Sequence, residues 1–280
     1  MSAQIRVETG ALAELRKIVA FFRRDLLVSF GYRLAFFSDW FNLAVQIIVF
    51  GLVGKLVPPS ALPTFDGQEV SYVEFVAVGI AISSFVQLGM TRVTTAVRSE
   101  QVIGTLESIL ATPTALATVQ VGWVVYDIVY VPLRTVLFLT AVWLFAGVDF
   151  DGSGILPSIA VLLAFIPFVW GFGVLSAAGT LTFRRGSGSG LIMTALTITS
   201  GAYFPLSVLP EWAQTLAEWN PIAVAVNALR ECLLGSAGWP EARDAITVLV
   251  PAAAITLSLG IWAFRVALRR ERRKGTVGLY

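Results

Sequence analysis

"ILPSIAVLLAFIPFVWGFGVLSAAGTLTF" (Ile155–Phe183) holds no charged side chain from end to end. As a helix it is roughly 40 Å long, more than enough to cross a hydrocarbon layer of about 30 Å. Its apolar residues run continuously instead of alternating every second position, which selects a helix over a barrel strand. The rest of the chain agrees with this reading. Of 280 residues, 56% are hydrophobic and only 14% charged, and the mean hydropathy is +0.79, well outside the soluble range of about 45–50% apolar and 25% charged. An all-α membrane protein is predicted.

Outward from that stretch, six spans are expected, approximately Leu34–Val57, Tyr72–Val93, Val119–Ala146, Ile155–Phe183, Leu191–Phe204 and Asp244–Leu268. The fifth is short and limited by Pro205. Before them, Glu8–Val28 places Leu12, Leu15, Ile18, Val19, Phe22 and Leu26 at helical spacing, with Arg16, Lys17, Arg23 and Arg24 on other faces. That pattern is an amphipathic helix lying on the membrane surface. The expected organisation is therefore an N-terminal surface helix (1–33), a six-span domain (34–268) and a basic tail (269–280).

Lys and Arg placement orients the chain. Arg16, Lys17, Arg23, Arg24, Arg33, Arg92, Arg98, Arg184, Arg185 and the Arg265–Lys274 cluster collect on one side. Arg230 and Arg243 lie on the other, among Asp66, Glu69, Asp149, Asp151, Glu211, Glu218 and Glu241. Both termini are expected in the cytoplasm of a plasma (inner) membrane. Trp143, Trp212, Trp219 and Trp239 fall near the outer boundary and Trp40, Trp123 and Trp262 near the inner one, as interfacial belts require. The net charge of +2 adds little. "RRERRK" (Arg269–Lys274) is read as a contact for anionic inner-leaflet lipid; following directly on a span without interleaved aromatics, it does not suggest nucleic-acid binding.

Between the fifth and sixth spans, Pro205, Pro210 and Pro221 divide an apolar segment (205–235) into short helices near Glu211–Trp219 and Ile222–Leu234. They are expected to form a hairpin dipping into the outer leaflet. In the third span, Asp127, Tyr130 and Arg134 sit at i, i+3 and i+7 as one polar stripe. About fifteen Val, Leu, Ile and Phe there favour insertion by roughly 5–9 kcal/mol, against roughly 5–7 for the two charges. The stripe must therefore face protein or water and not lipid.

Catalytic signals are absent: there is no phosphate-binding glycine loop with its lysine, no nucleophile elbow and no His-Glu-x-x-His. "RRGSGSG" (Arg184–Gly190) reads as a flexible turn. With no histidine and one cysteine, Cys232, there is neither the usual metal ligand nor a disulfide. Cys232 reads as a small buried apolar residue.

"RSEQVIGTLESILATPT" (Arg98–Thr114) is the one long polar interruption between spans on the basic side. Glu100–Leu110 suits a short helix with Ile103, Leu106 and Leu110 on one face and Glu100 and Glu107 on another, Gly104 leaving room for a neighbouring backbone and Thr112-Pro113 ending it. Such a helix fits a groove of a soluble partner.

"EQVIGTLESILATPT" resembles the coupling helix of type-2 ATP-binding-cassette (ABC) export permeases. "GAYFPLSVLP" (Gly201–Pro210) and "NPIAVAVNALRECLLG" (Asn220–Gly235) resemble later segments of that family, in family order. The resemblance implies a coupling helix (98–112) in which Glu100, Gly104, Thr105, Leu106 and Glu107 contact cytoplasmic ATPase subunits on separate chains. It also implies that ATP and Mg are bound by those subunits, with no catalytic residue or cofactor here. A second permease, expected to be an identical chain, completes the complex. Asp127, Tyr130 and Arg134, with Tyr203 and Phe204, become a candidate export path or permease interface, and Pro205, Pro210, Asn220, Pro221 and Arg230 form a candidate outer gate. The wording of Phe204–Pro210 leans toward export of drug-like or lipid-linked amphiphiles. Alternatives are a polysaccharide or other glycoconjugate exporter and an ion-coupled secondary carrier. A membrane-embedded enzyme would need a nucleophile and base pair that the Asp127 stripe does not supply, and a non-transporting sensor or assembly subunit is a further alternative.

Overall fold

A computed structural model describes residues 10–274 apart from 66, 68, 113, 149, 184–188 and 236–237. Arg184 and Arg185 of the glycine-rich turn, Asp66, Asp149, Pro113 and the last six residues of the tail lie outside the described residues, as do the side chains of Arg33, Asp39 and Leu110.

The chain forms ten α-helices among the described residues: α1 Ala11–Gly31, α2 Arg33–Gly54, α3 Tyr72–Ile103, α4 Leu106–Ala111, α5 Leu116–Ala146, α6 Ile155–Phe183, α7 Ser189–Ile198, α8 Glu211–Glu218, α9 Pro221–Leu234 and α10 Trp239–Lys274. Four of them, α3, α5, α6 and α10, are long and apolar enough to cross a membrane. The six-span expectation thus reduces to four full-length apolar helices, plus α2 and a short α7.

Helices α3, α6 and α10 approach so closely that glycine is required at the crossings. A Cβ on Gly171 of α6 would lie 2.6 Å from the backbone N of Leu257 in α10, one on Gly260 of α10 2.6 Å from the carbonyl of Gly171, and one on Gly173 2.8 Å from the carbonyl of Gly89 in α3. Lipid offers no hydrophobic drive between spans, so association rests on such close packing. Around these crossings are three clusters. Val93, Val97, Leu106, Trp123 and Phe264 fill the end near the arginine-rich terminus of α10, hereafter the basic end. Phe85, Phe165, Phe168 and Leu229 fill the middle, and Leu43, Phe65, Phe75 and Phe138 the far end. Trp123 is wholly buried and belongs to the core, not to an interfacial belt; Trp143, Trp212, Trp219 and Trp262 are exposed as a belt requires. Cys232 is buried, as its composition-level reading expects.

Three boundaries differ from the sequence reading. Helix α3 does not stop at Val93 but continues to Ile103. Helix α10 runs unbroken through the basic cluster to Lys274, so that part of the tail is helical. Helix α7 ends at Ile198, short of Phe204, because the groups that would extend it are taken up elsewhere. Asn220 Nδ2 donates to the Leu196 carbonyl at 2.6 Å, and Gly201 turns the chain with φ +67°.

Gly171→Val should lower the thermal unfolding midpoint of the detergent-solubilised chain, by the equivalent of about 1–3 kcal/mol. A Cβ at Gly51 on α2 meets nothing within 4 Å, and Gly51→Ala should leave the midpoint unchanged or raise it slightly. Circular dichroism melts of both variants check the pair.

Candidate functional site

The segment at the basic end is two helices, not one. Gly104 adopts a left-handed conformation (φ 79°, ψ 14°) and ends α3. Thr105 N–H donates to the Glu100 carbonyl at 2.9 Å and Gly104 N–H to that of Gln101 at 3.0 Å, the paired bonds of a Schellman cap. A Cβ on Gly104 would meet nothing, so glycine serves the backbone turn and not a close neighbour. The predicted single helix over Glu100–Leu110, with Glu100 and Glu107 on a shared face, is therefore corrected. Glu100 closes α3 and Glu107 opens α4.

That break separates the side chains by role. Leu106 is buried in the basic-end core, whereas Val102 and Ile103 are 61% and 71% exposed. Glu107 is exposed beside them. Glu100 instead faces inward, accepting from the Thr105 hydroxyl and from Arg24 Nη1 at 2.8 Å.

From Glu100 a chain of alternating charges crosses three helices. Arg24 Nε on α1 meets Asp25 Oδ1 at 2.9 Å. Asp25 Oδ2 meets Arg92 Nη2 on α3 at 2.9 Å, and Arg92 Nε meets Asp127 Oδ2 on α5 at 2.6 Å. Asp25 is 7% exposed, a depth at which a carboxylate is tolerated only when paired. Two aromatic contacts position the arginines, Arg24 over Phe21 at 5.0 Å and Arg92 over Tyr126 at 5.9 Å. Gly122 makes room for Phe21 on α5, since a Cβ there would sit 2.5 Å from that ring. Helix α1 is thus keyed to α5 by an aromatic and to α3 by charge.

The sequence reading treated Arg24 and Arg92 as orientation markers and did not single out Asp25. The available signal was its place on α1, an acid three and four residues after Phe22 and Phe21, on the side those rings bury.

The stripe on α5 is divided. Asp127 turns to Arg92, while Tyr130 and Arg134 line an apolar cavity of about 530 Å³ between α1, α2 and α5, with Phe22, Phe30 and Trp40. Tyr130 stacks on Tyr126 at 5.3 Å.

At the far end, Arg230 of α9 is 1% exposed. It donates to the carbonyls of Phe75 (3.1 Å), Gly201 (3.0 Å) and Ala202 (2.9 Å) and lies 3.5 Å from the Phe75 ring centre. Gly79 lets the Ala202 carbonyl reach α3, since a Cβ there would come within 1.7 Å of that oxygen. The Tyr203 carbonyl accepts from the Tyr72 hydroxyl at 2.9 Å, and its ring stacks on Phe50 at 5.4 Å. Asn220 caps α9 through Ile222 N–H at 2.9 Å, with Pro221 at the first helical position; Pro210 precedes α8 and Pro205 a short 3₁₀ turn. Phe204 is half-buried. Arg230 and Asn220 therefore hold the α7–α9 connection together. Beside Arg230 a cleft of about 310 Å³ is bordered by Pro205 and Phe75.

A bundle of apolar helices, four of them long enough to cross a membrane among the described residues, marks a membrane protein. The sequence model of the family described as "ABC-2 type transporter" matches residues 16–234, and the chain belongs to that family as a transmembrane subunit of an ABC transporter. It is 27% identical over 204 residues to the linearmycin resistance permease protein LnrN of Bacillus subtilis (strain 168), covering 71% of this chain and 51% of that protein. The chain spans about half the length of this relative.

Asp25→Asn leaves two arginines without their shared carboxylate, and should destabilise the solubilised chain by about 3 kcal/mol. Glu14→Gln, which removes a partly exposed pair with Lys17, should shift the midpoint far less. Denaturation of the two variants side by side measures the difference. Arg230→Met, which frees three carbonyls, should produce a loss at least as large as Asp25→Asn; a midpoint equal to wild type would contradict the clasp.

Proposed function

We propose that this chain is the permease half of an ABC exporter, pairing with a second permease, expected to be an identical chain, and with two ATPase subunits on separate chains that bind ATP and Mg. The observation that carries the proposal is the α3–α4 junction. It presents Val102, Ile103 and Glu107 outward, while its inward side is tied through Glu100 and Arg24 to Asp25, Arg92 and Asp127. Apolar and acidic groups outside suit docking on a soluble subunit. A rigid ionic link inside suits transmission of its movement to α1, α3 and α5. Glu100 accordingly transmits, and the ATPase contact falls on Glu107 with Val102 and Ile103, around the turn formed by Gly104, Thr105 and Leu106.

In this reading α2 and α7 join the four long helices to give six crossings, α7 continuing through the turn at Gly201 into the α8–α9 hairpin. The basic end lies in the cytoplasm of a plasma membrane, as the Lys and Arg asymmetry supports. The transported molecule is an amphipathic, drug-like or lipid-linked compound moved outward; the name of the Bacillus relative as a resistance permease supports that class.

Co-purification with the ATPase encoded beside it provides the test. Ile103→Ser with Glu107→Arg should reduce complex yield at least tenfold without altering insertion. Glu100→Gln should keep the complex but weaken the coupling of ATP hydrolysis to transport. If no ATPase co-purifies with the wild-type chain, the proposal fails.

A further inference from the structure

Helix α2 carries two amide side chains on a surface that is otherwise apolar. Its inward side, Leu43, Ile47 and Phe50 at i, i+4 and i+7, packs into the far-end cluster. On the outward side Phe41, Val45, Ile48, Val49 and Leu52 are exposed. Asn42 joins that exposed surface, and Gln46 stands half-buried beside it. Gln46 Nε2 donates to Asn42 Oδ1 at 3.0 Å.

Both amides lie at hydrocarbon depth. Residues 40–54 carry no charge, and the end of α2 rests against the first residue of α3, where a Cβ on Gly54 would come 3.2 Å from the Tyr72 ring. Counted back from Gly54 at about 1.5 Å per residue, Gln46 is about 12 Å and Asn42 about 18 Å from that end, within a hydrocarbon layer of about 30 Å. Lipid can neither donate nor accept hydrogen bonds there. The bond between the two side chains leaves most of their capacity unused. Among the described residues Gln46 Oε1 has no hydrogen-bond partner, and the amide hydrogens of Asn42 have no acceptor. Interchanging the O and N of either amide changes which atoms are left over, not that some are.

We infer that this face of α2 is the contact with a second copy of this chain, made amide to amide across a two-fold axis along the membrane normal. Two copies inserted in one orientation place equal residues opposite each other, so Asn42 meets Asn42. An amide is donor and acceptor at once; each can therefore bond the other, and Gln46 completes the set from the flank. Asn42, Val45, Val49 and Leu52 recur at i, i+3, i+7 and i+10. That is the spacing of a seam between parallel helices, in which a single Asn fixes the register. Hydrogen bonds between spanning helices also favour association directly. A water-filled path would satisfy the amides as well, but the Val and Leu that continue the stripe suit a dry seam. The inference rests on the second permease being an identical chain, as proposed above, and needs no ATPase.

Cysteine cross-linking of the full chain in lipid bilayers, on a Cys232→Ala background, tests the face. Val49→Cys should join two copies by a disulfide about tenfold faster than Ile255→Cys on the exposed side of α10, since the Cα atoms must come within about 7 Å. Asn42→Leu with Gln46→Leu should weaken the dimer about tenfold, read by energy transfer between labelled copies. The same variant should not lower the thermal midpoint of the solubilised chain, because it removes amides that the single chain leaves unsatisfied. Asn42→Gln keeps an amide and should keep most of the association. Equal cross-linking at both positions would mean random collision and overturn the face. A dimer that forms without cross-linking at Val49→Cys, or that the double variant leaves unchanged, would also overturn it while the pairing of identical chains stands. A chain that never dimerises in bilayers would overturn the pairing and the face together.

Discussion

A charge buried in an apolar bundle must find an opposite charge or a ring of dipoles, and the basic end of this protein is organised around that requirement. Asp25 sits almost wholly buried between Arg24 and Arg92. Each arginine then carries the link onward, one to Glu100 beside the α3–α4 turn and the other to Asp127 on α5. Desolvation makes every member costly alone, so the set is stable only with all members in register. That interdependence fixes α1 against the bundle and connects the exposed turn to two spanning helices.

The far end solves the same problem with dipoles in place of charges. Three carbonyls and an aromatic face surround the Arg230 guanidinium. Those carbonyls come from α3 and from the turn after α7, so one side chain joins elements separated by more than a hundred residues. Glycine makes the geometry possible, at Gly79 against Ala202 and at Gly154 against the carbonyl of Cys232, which a Cβ would approach to 1.5 Å. Between the two ends, glycine crossings of α3, α6 and α10 allow backbone to meet backbone. Polar anchoring at both ends and close apolar packing between them tie the α3–α4 turn to helices distant in sequence.

Much of this was legible in the sequence. Charge-free runs such as Ile155–Phe183 announce helices of spanning length, because backbone groups in lipid must bond within their own segment. Prolines at 205, 210 and 221 mark the divided hairpin, and α8 and α9 fall within a residue or so of their expected limits. Gly104 was legible as a special position, but its reason was not. A left-handed residue and a close-contact residue look alike in a sequence, and only φ distinguishes them. The length of α3 was missed for a related reason: the span was ended at Val93 and a separate helix begun at Glu100, yet nothing in residues 94–103 stops a helix until Gly104.

The sequence by itself determined the class of protein, the positions of its long helices and the placement of cations at one end, since these depend on composition and periodicity local to each segment. It also carried the polar interruption and the motifs that place the chain in its family. Only the tertiary structure decided which charges meet. Asp25 and Arg92 are 67 positions apart, Glu100 and Arg24 76, and Arg230 and Phe75 155. Pairing across such distances is set by how helices cross, which depends on where glycines admit close approach and which rings fill the remaining space, and no local pattern encodes that.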